Sequence, residues 1–332
     1  MGIARWGHML IMKWGSRGRN AVIISSTKNK KGRTGLSLHS RAIEQRTEVV
    51  RGRVFIHPLP QLLDNIGYLI IVCLPKPEPP TKKKRSKSKK MPILGILIDC
   101  GEADVVIQQI ELINDVHYAN LHSKIEIHTM LCTHKHHDHT AGNGIILSKY
   151  QNTLKTVVGG AIERVPYCTE FVTNGDFITL PSQENNNIHE LIEIECVAAP
   201  SHTRGSLVFA LRNKPSDEPA VCHLFTGDCI FSGGAGVPFE ADLDLSPSEA
   251  QPEKKTHRTQ FKPGAGVLST ERCFAEVLFR ALSEECIQED DCLTNHLLVY
   301  PGHEYTIDLL QRQLDRNNEY FSKRLLIQMV LN

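Results

Sequence analysis

No apolar run in this 332-residue chain comes near the roughly 20 residues a membrane-spanning helix needs; the longest, such as residues 68–74, are far shorter. That argues against a helical membrane anchor and predicts a soluble globular protein with no membrane partner. Ten cysteines are scattered with no C-x-x-C pair among them, and no secretory signal precedes them. A disulfide framework is therefore not expected; the thiols read as reduced, mostly buried groups in an intracellular protein. No internal repeat of fixed period is present. Acid is missing from residues 1–43, which carry nine Lys/Arg. Acid is nearly missing from residues 75–91 too, with eight Lys/Arg and one Glu. Removing those 17 basic residues and one acid from the chain's 38 and 37 leaves 21 basic against 36 acidic groups. The formal net charge of +1 thus hides an acidic body with two basic appendages. An acidic body offers no nucleic-acid surface, so no nucleic-acid partner is expected.

The hydrophobic share of 41% is ample for one large domain or two small ones. Residues 1–48 read as a basic leader or a disordered tail. As a transit peptide they would send the protein to a mitochondrion or plastid; otherwise it is cytoplasmic. A main domain spans 49–305. "VVRGRVFIHPL" and "IGYLIIVCL" read as strands joined through "PQLLDN", and "ILGILIDCG" as the next strand. Between them, residues 75–91 form a Pro-rich, then Lys-rich insertion that cannot bury apolar surface. "EADVVIQQIELINDV" has helical spacing, "IEIHTMLCTH" is a strand and "AGNGIILSKYQ" a helix. Short strands follow: "KTVVGG", "EFVTNGDFITL", "ELIEIECVAAPSHT", "GSLVFALRN" and "VCHLFTGDCIF". A polar insertion over 241–266 precedes a helix at "STERCFAEVLFRALSEE", then a strand and turn at "HLLVYPGHEYT". Residues 306–332 read as a short C-terminal helical segment. Strands and helices mixed in this order predict α/β or α+β layers.

What is abundant is histidine, and it is concentrated. Four of sixteen histidines lie within residues 134–139, in "THKHHDHTAGN". His134, His136 and His139 with Asp138 make an H-x-H-x-D-H array of imidazole and carboxylate, which suits zinc, iron or manganese. In extended backbone His134 and His136 point the same way and can grip one ion, while a following turn lets Asp138 and His139 aim at a second. Three further segments place candidates at strand ends: His202 in "APSHTRGS", Asp228 in "LFTGDCIF" and His303 in "YPGHEYT". Seven ligands suffice for two divalent metal ions sharing one carboxylate. Such a pair acidifies a shared water to near neutrality, so hydrolysis needs no Ser or Cys nucleophile.

Together, "LLDNIGYLI", "ILIDCG", "THKHHDHTAGN", "APSHTRGSLVF", "LFTGDCIF" and "VYPGHEYT" resemble the metallo-β-lactamase superfamily, and within it the glyoxalase II (hydroxyacylglutathione hydrolase) type. The resemblance runs from about residue 54 to 312. It implies a four-layer αββα sandwich with the metals at one edge and a short C-terminal helical extension. It assigns His134, His136 and His202 to one ion and Asp138, His139 and His303 to the other. Asp228 bridges them, and Asp138 and Asp228 are the catalytic carboxylates. His137 is expected to pack or hydrogen-bond, and Lys135 to have no metal role. The implied activity is hydrolysis of S-D-lactoylglutathione or a related S-acylglutathione by a monomer.

The pattern departs from the family in three places. Where glyoxalase II has a basic residue and a tyrosine that meet the substrate, "GAGVPFE" has Val237 and Phe239; a valine offers neither charge nor hydrogen bond. The insertion over 241–266 falls near the expected mouth of the site. The family's basic C-terminal tail has no counterpart before Asn332, although Tyr305 matches the glutathione-contacting tyrosine. Two alternatives follow. One is a persulfide dioxygenase-like mononuclear iron enzyme, disfavoured by "GHEYT" and the intact array. The other is a metal-binding interaction or regulatory module that has lost the substrate.

Overall fold

A computed structural model describes residues 44–74, 93–121, 123–180, 188–214, 221–232, 234–240 and 297–305, with the backbone of a short antiparallel pair, Gly7–Ile11 and Val22–Ser26. The two insertions, the helix expected over 269–285 and the segment 306–332 lie outside the described residues, as does most of the basic leader.

The first sheet has seven strands in chain order: β1 (Thr47–Val50), β2 (Val54–Gln61), β3 (Asn65–Cys73), β4 (Ile93–Ile98), β5 (Ile125–Leu131), β6 (Thr156–Gly160) and β7 (Glu170–Val172). It is antiparallel through β4 and parallel from β4 to β7. The second sheet orders β8 (Ile192–Ala198), β9 (Leu207–Asn213), β10 (Cys222–Gly227) and β11 (Leu297–Pro301), with only the last pair parallel. "VVRGRVFIHPL" is therefore two strands, not one: Gly52, at φ +65°, closes a tight hairpin between β1 and β2. Likewise "EFVTNGDFITL" stops as a strand at Val172, where Asp176 accepts hydrogen bonds from Thr173 N and Oγ1 and turns the chain.

The apolar alternation explains the layering. Ile56, Tyr68, Ile70, Val72 and Ile96 of the first sheet pack on Ile194, Phe209, Phe225 and Tyr300 of the second, forming the core between the sheets. The opposite face of the first sheet, with Phe55, Leu59, Leu69, Ile71 and Leu97, packs on Val106, Ile110 and Ile113 of helix α1 (Ala103–Ile113). Because both faces are covered, β3 and β4 are buried along their whole length, and their sequences are continuously apolar rather than alternating. The outer face of the second sheet is buried as well, around Val208, Ala210, Leu224 and Leu297. Three layers are thus described, and the fourth position is a covered apolar face, as an αββα sandwich requires. No helix among the described residues is long and apolar enough to cross a membrane.

Candidate metal centre

Every candidate ligand sits just past the carboxyl end of a strand or in a turn at that same edge. β5 delivers Thr133 and His134, and the short helix α2 (His137–Thr140) begins inside the histidine array. That early start sets the His139 ring 4.3 Å from the His134 ring and its Nδ1 2.9 Å from Asp99 Oδ2. Helix α3 (Asn143–Lys149) follows at once. His202 follows β8, Asp228 follows β10 and His303 follows β11. The two sheet edges are stitched together here: Ile66 N donates to Gly302 O (2.8 Å), Leu207 N to Thr133 O (2.8 Å) and Tyr68 Oη to Pro301 O (2.7 Å). Gly227, at φ +49°, makes the turn before Asp228; a side chain there would collide with Thr133.

The structure brings all seven side chains together. His134, His136 and His202 form one group and Asp138, His139 and His303 another, while Asp228 joins His134 and His139; in each group the ligand atoms lie within 4.8 Å of one another. Each such group can hold a metal ion. His136 Nδ1 is 3.0 Å from His134 Nε2 and 2.9 Å from His202 Nε2. His139 Nε2 and His303 Nε2 are 3.3 Å apart. Asp228 lies between the groups, its Oδ2 3.5 Å from His202 Nε2 and 3.3 Å from His303 Nε2. Its Oδ1 is buried without a hydrogen bond, although His139 Nε2 is 3.2 Å away. Three imidazole nitrogens facing one point, and a buried carboxylate oxygen left without a donor, are what a cation would satisfy.

Groups with no such role assigned from the sequence aim the rings from behind. Asp99, at the end of β4, has φ +52°, a costly backbone state for a non-glycine residue. Its carboxylate accepts from Thr133 N (2.8 Å) and Thr133 Oγ1 (2.7 Å) and lies 2.9 Å from His139 Nδ1. Asp64 Oδ1 lies 3.0 Å from His303 Nδ1, Thr133 Oγ1 3.1 Å from His134 Nδ1 and Val237 O 2.8 Å from His202 Nδ1. Asn65 Nδ2 donates to Asp138 Oδ2 (3.0 Å). Glu163, fully buried, accepts from Lys135 N (2.9 Å) and Thr203 Oγ1 (2.6 Å), so one carboxylate ties the His134–His136 loop to the His202 loop. Asp99 directly follows a strand and Asp64 directly precedes one beside Asn65, a weak signal; Glu163 left none.

The two groups differ in charge. Burial, then the neighbouring imidazoles, hold His134 well below the ordinary histidine range, and burial also lowers His136 and His202. Burial opposes charge on His139 and His303 too, but there carboxylates win. Asp228 and Asp99 push His139 up to about 10, while Asp138, Asp228 and Asp64 push His303 up to about 11. Asp138 and Asp228, despite their burial, are held below the usual carboxylate range by these same histidines.

His137 does not pack: its ring is exposed on the first turn of α2. Lys135 reaches away from the ligands to form an ion pair with Glu240. Val237 and Phe239 stand at the rim, 62% and 66% exposed, and Phe239 lies edge-on to His136 and His202 with ring centroids 5.7 and 5.2 Å away. Tyr305 stacks on His303 at 4.7 Å, with the Phe231 ring 5.2 Å from its own.

No protein-family model matches the chain. Among curated relatives, a cytoplasmic hydroxyacylglutathione hydrolase of Arabidopsis thaliana is 34% identical over 119 residues, 36% of this chain and 41% of that protein. A hydroxyacylglutathione hydrolase of Nitrosomonas europaea is 28% identical over 226 residues, 68% of this chain and 61% of that one. The cytoplasmic isozyme of Saccharomyces cerevisiae is 30% identical over 209 residues, 60% of this chain and 67% of the yeast protein. The chain thus spans from about two-fifths to two-thirds of these relatives' lengths. Among solved structures, a metallo-beta-lactamase from Staphylococcus aureus is similar at a TM-score of 0.43, with 16% identity, covering 84% of this chain and 67% of that one.

Proposed function

Because the chain belongs to the hydroxyacylglutathione hydrolase family, we propose that it is a metal-dependent thioester hydrolase acting on S-acylglutathiones such as S-D-lactoylglutathione. The observation that carries the reading is the clustering of seven His and Asp side chains into three overlapping groups, with the buried Oδ1 of Asp228 among them. His134, His136 and His202 would hold one divalent ion and Asp138, His139 and His303 another, with Asp228 between them. Zinc, iron and manganese all suit this donor set. When bound, two such ions supply Lewis acidity and a water acidified to near neutrality.

The chain's own residues do the rest. Asp138 is the half-buried member of an otherwise buried acid pair, so its carboxylate faces incoming water, and Asn65 fixes its orientation. It accepts a hydrogen bond from the attacking water and points its oxygen at the thioester carbon. The new C–O bond forms, the C–S bond breaks, and the thiol leaves with the proton that water supplied. Thiols are acidic enough to leave with little help from a protein acid. Cys100 lies close by, but burial pushes its thiol up to about 12, so it does not compete as a nucleophile. Removing metal with a chelator should abolish S-D-lactoylglutathione hydrolysis, and zinc, iron or manganese should restore it. Turnover that survives complete metal removal would refute the reading.

A further inference from the structure

The loop over residues 234–240 divides its labour between backbone and side chains. Its backbone serves the metal centre. Gly236 N donates to Asp228 O (3.0 Å), Phe239 N donates to His202 O (3.1 Å), and Val237 O lies 2.8 Å from His202 Nδ1. Glu240 anchors the end of the loop, pairing with Lys135 and accepting from Arg204 N at 2.9 Å. The Val237 and Phe239 side chains do none of this. Val237 and Phe239 project outward, about two-thirds exposed, whereas most large apolar side chains among the described residues are buried. The Phe239 ring borders His136 and His202 on one flank of the ligand cluster. On the other flank, Tyr305 and Phe231 border His303. Aromatic rings thus border the cluster on both flanks, and on the Phe239 side Lys135 is already engaged by Glu240. Exposed apolar side chains gain by being covered, and they offer nothing to a charged group.

Resting on the thioester hydrolase reading above, we infer that Val237 and Phe239 form a specificity-determining lip that selects thioesters carrying an uncharged, apolar group beside the reacting carbonyl. That group can sit on the acyl side or on the thiol side of the C–S bond; the chemistry recognised is the same. An apolar lip of this size discriminates by about ten- to a hundredfold.

The test uses the metal-replete full chain and three substrates: S-D-lactoylglutathione, S-phenylacetylglutathione (apolar acyl group) and the benzyl thioester of D-lactate (apolar thiol). The wild type should hydrolyse at least one apolar substrate with a kcat/KM about tenfold above that of S-D-lactoylglutathione. Whichever it prefers identifies the side that the lip touches. Val237→Lys and Phe239→Ser should each erase that advantage, mainly through KM, with metal content unchanged, because the backbone contacts to His202 and Asp228 remain. Best hydrolysis of S-D-lactoylglutathione by the wild type, or an apolar advantage untouched by both substitutions, would overturn the lip while leaving the hydrolase intact. Metal-replete protein that cleaves none of the three would overturn the hydrolase reading and the lip with it.

Discussion

The two halves of the candidate metal centre are built from the same residue type and behave oppositely. His134, His136 and His202 are crowded imidazoles with one shared carboxylate, and burial keeps them neutral. His139 and His303 sit among Asp138, Asp228, Asp99 and Asp64, and hold protons well above neutral pH. The first half is a ready set of neutral donors. The second is an anionic pocket in which protons occupy the place of a cation. Histidine is therefore not one ligand but two, and the carboxylate behind the ring decides which.

The largest effect should come from removing what the halves share. Asp228→Ala leaves both groups without their common oxygen, and turnover should fall by at least about 10²–10³-fold with loss of both metals, read by metal analysis and thioester assay together. Single-half changes come next. His136→Ala should empty the first half and leave one metal per chain, whereas His303→Ala should empty the second; if either variant loses both ions, the halves are not separable. Below these lie the supporting carboxylates. Asp99→Asn should weaken metal affinity of the second half by about 10–100-fold and Glu163→Gln should disturb only the first, in competition titrations with a coloured chelator. The subtlest difference is in protons. At pH 7 the first half is already neutral, while His139 and His303, raised to about 10 and 11, are charged in the metal-free chain. Metal entering the second half should release about two protons and metal entering the first about none. Affinity of the second half should accordingly rise more steeply with pH. Calorimetry in buffers of different ionisation enthalpy reads this directly, and equal proton release at both halves would erase the distinction.

Much of this centre was legible in the sequence because ligands must be His or Asp at strand ends, and strands announce themselves by apolar runs. The seven candidate ligands come from four short motifs, and the fold brings them together. What was hidden depends on backbone states that residue type does not encode. Asp99 at φ +52° looks like an ordinary turn residue after "ILI", and only the folded edge puts it behind His139. Glu163 lies in a loop after β6 with no pattern around it, yet it ties two ligand loops together. The sequence predicts a turn after His136 and a helix from Ala141; the folded chain already starts a short helix at His137. The hairpin at Gly52 was missed because its turn, Arg51-Gly52-Arg53, is only three residues long between two apolar runs.

One preparation of the full chain tests the proposed two-metal thioester hydrolase most directly: metals counted per chain, and thioester hydrolysis followed in the same sample. About two metals per chain with saturable turnover are expected. Fewer than one metal per chain, or two metals with no turnover of any thioester, would contradict it.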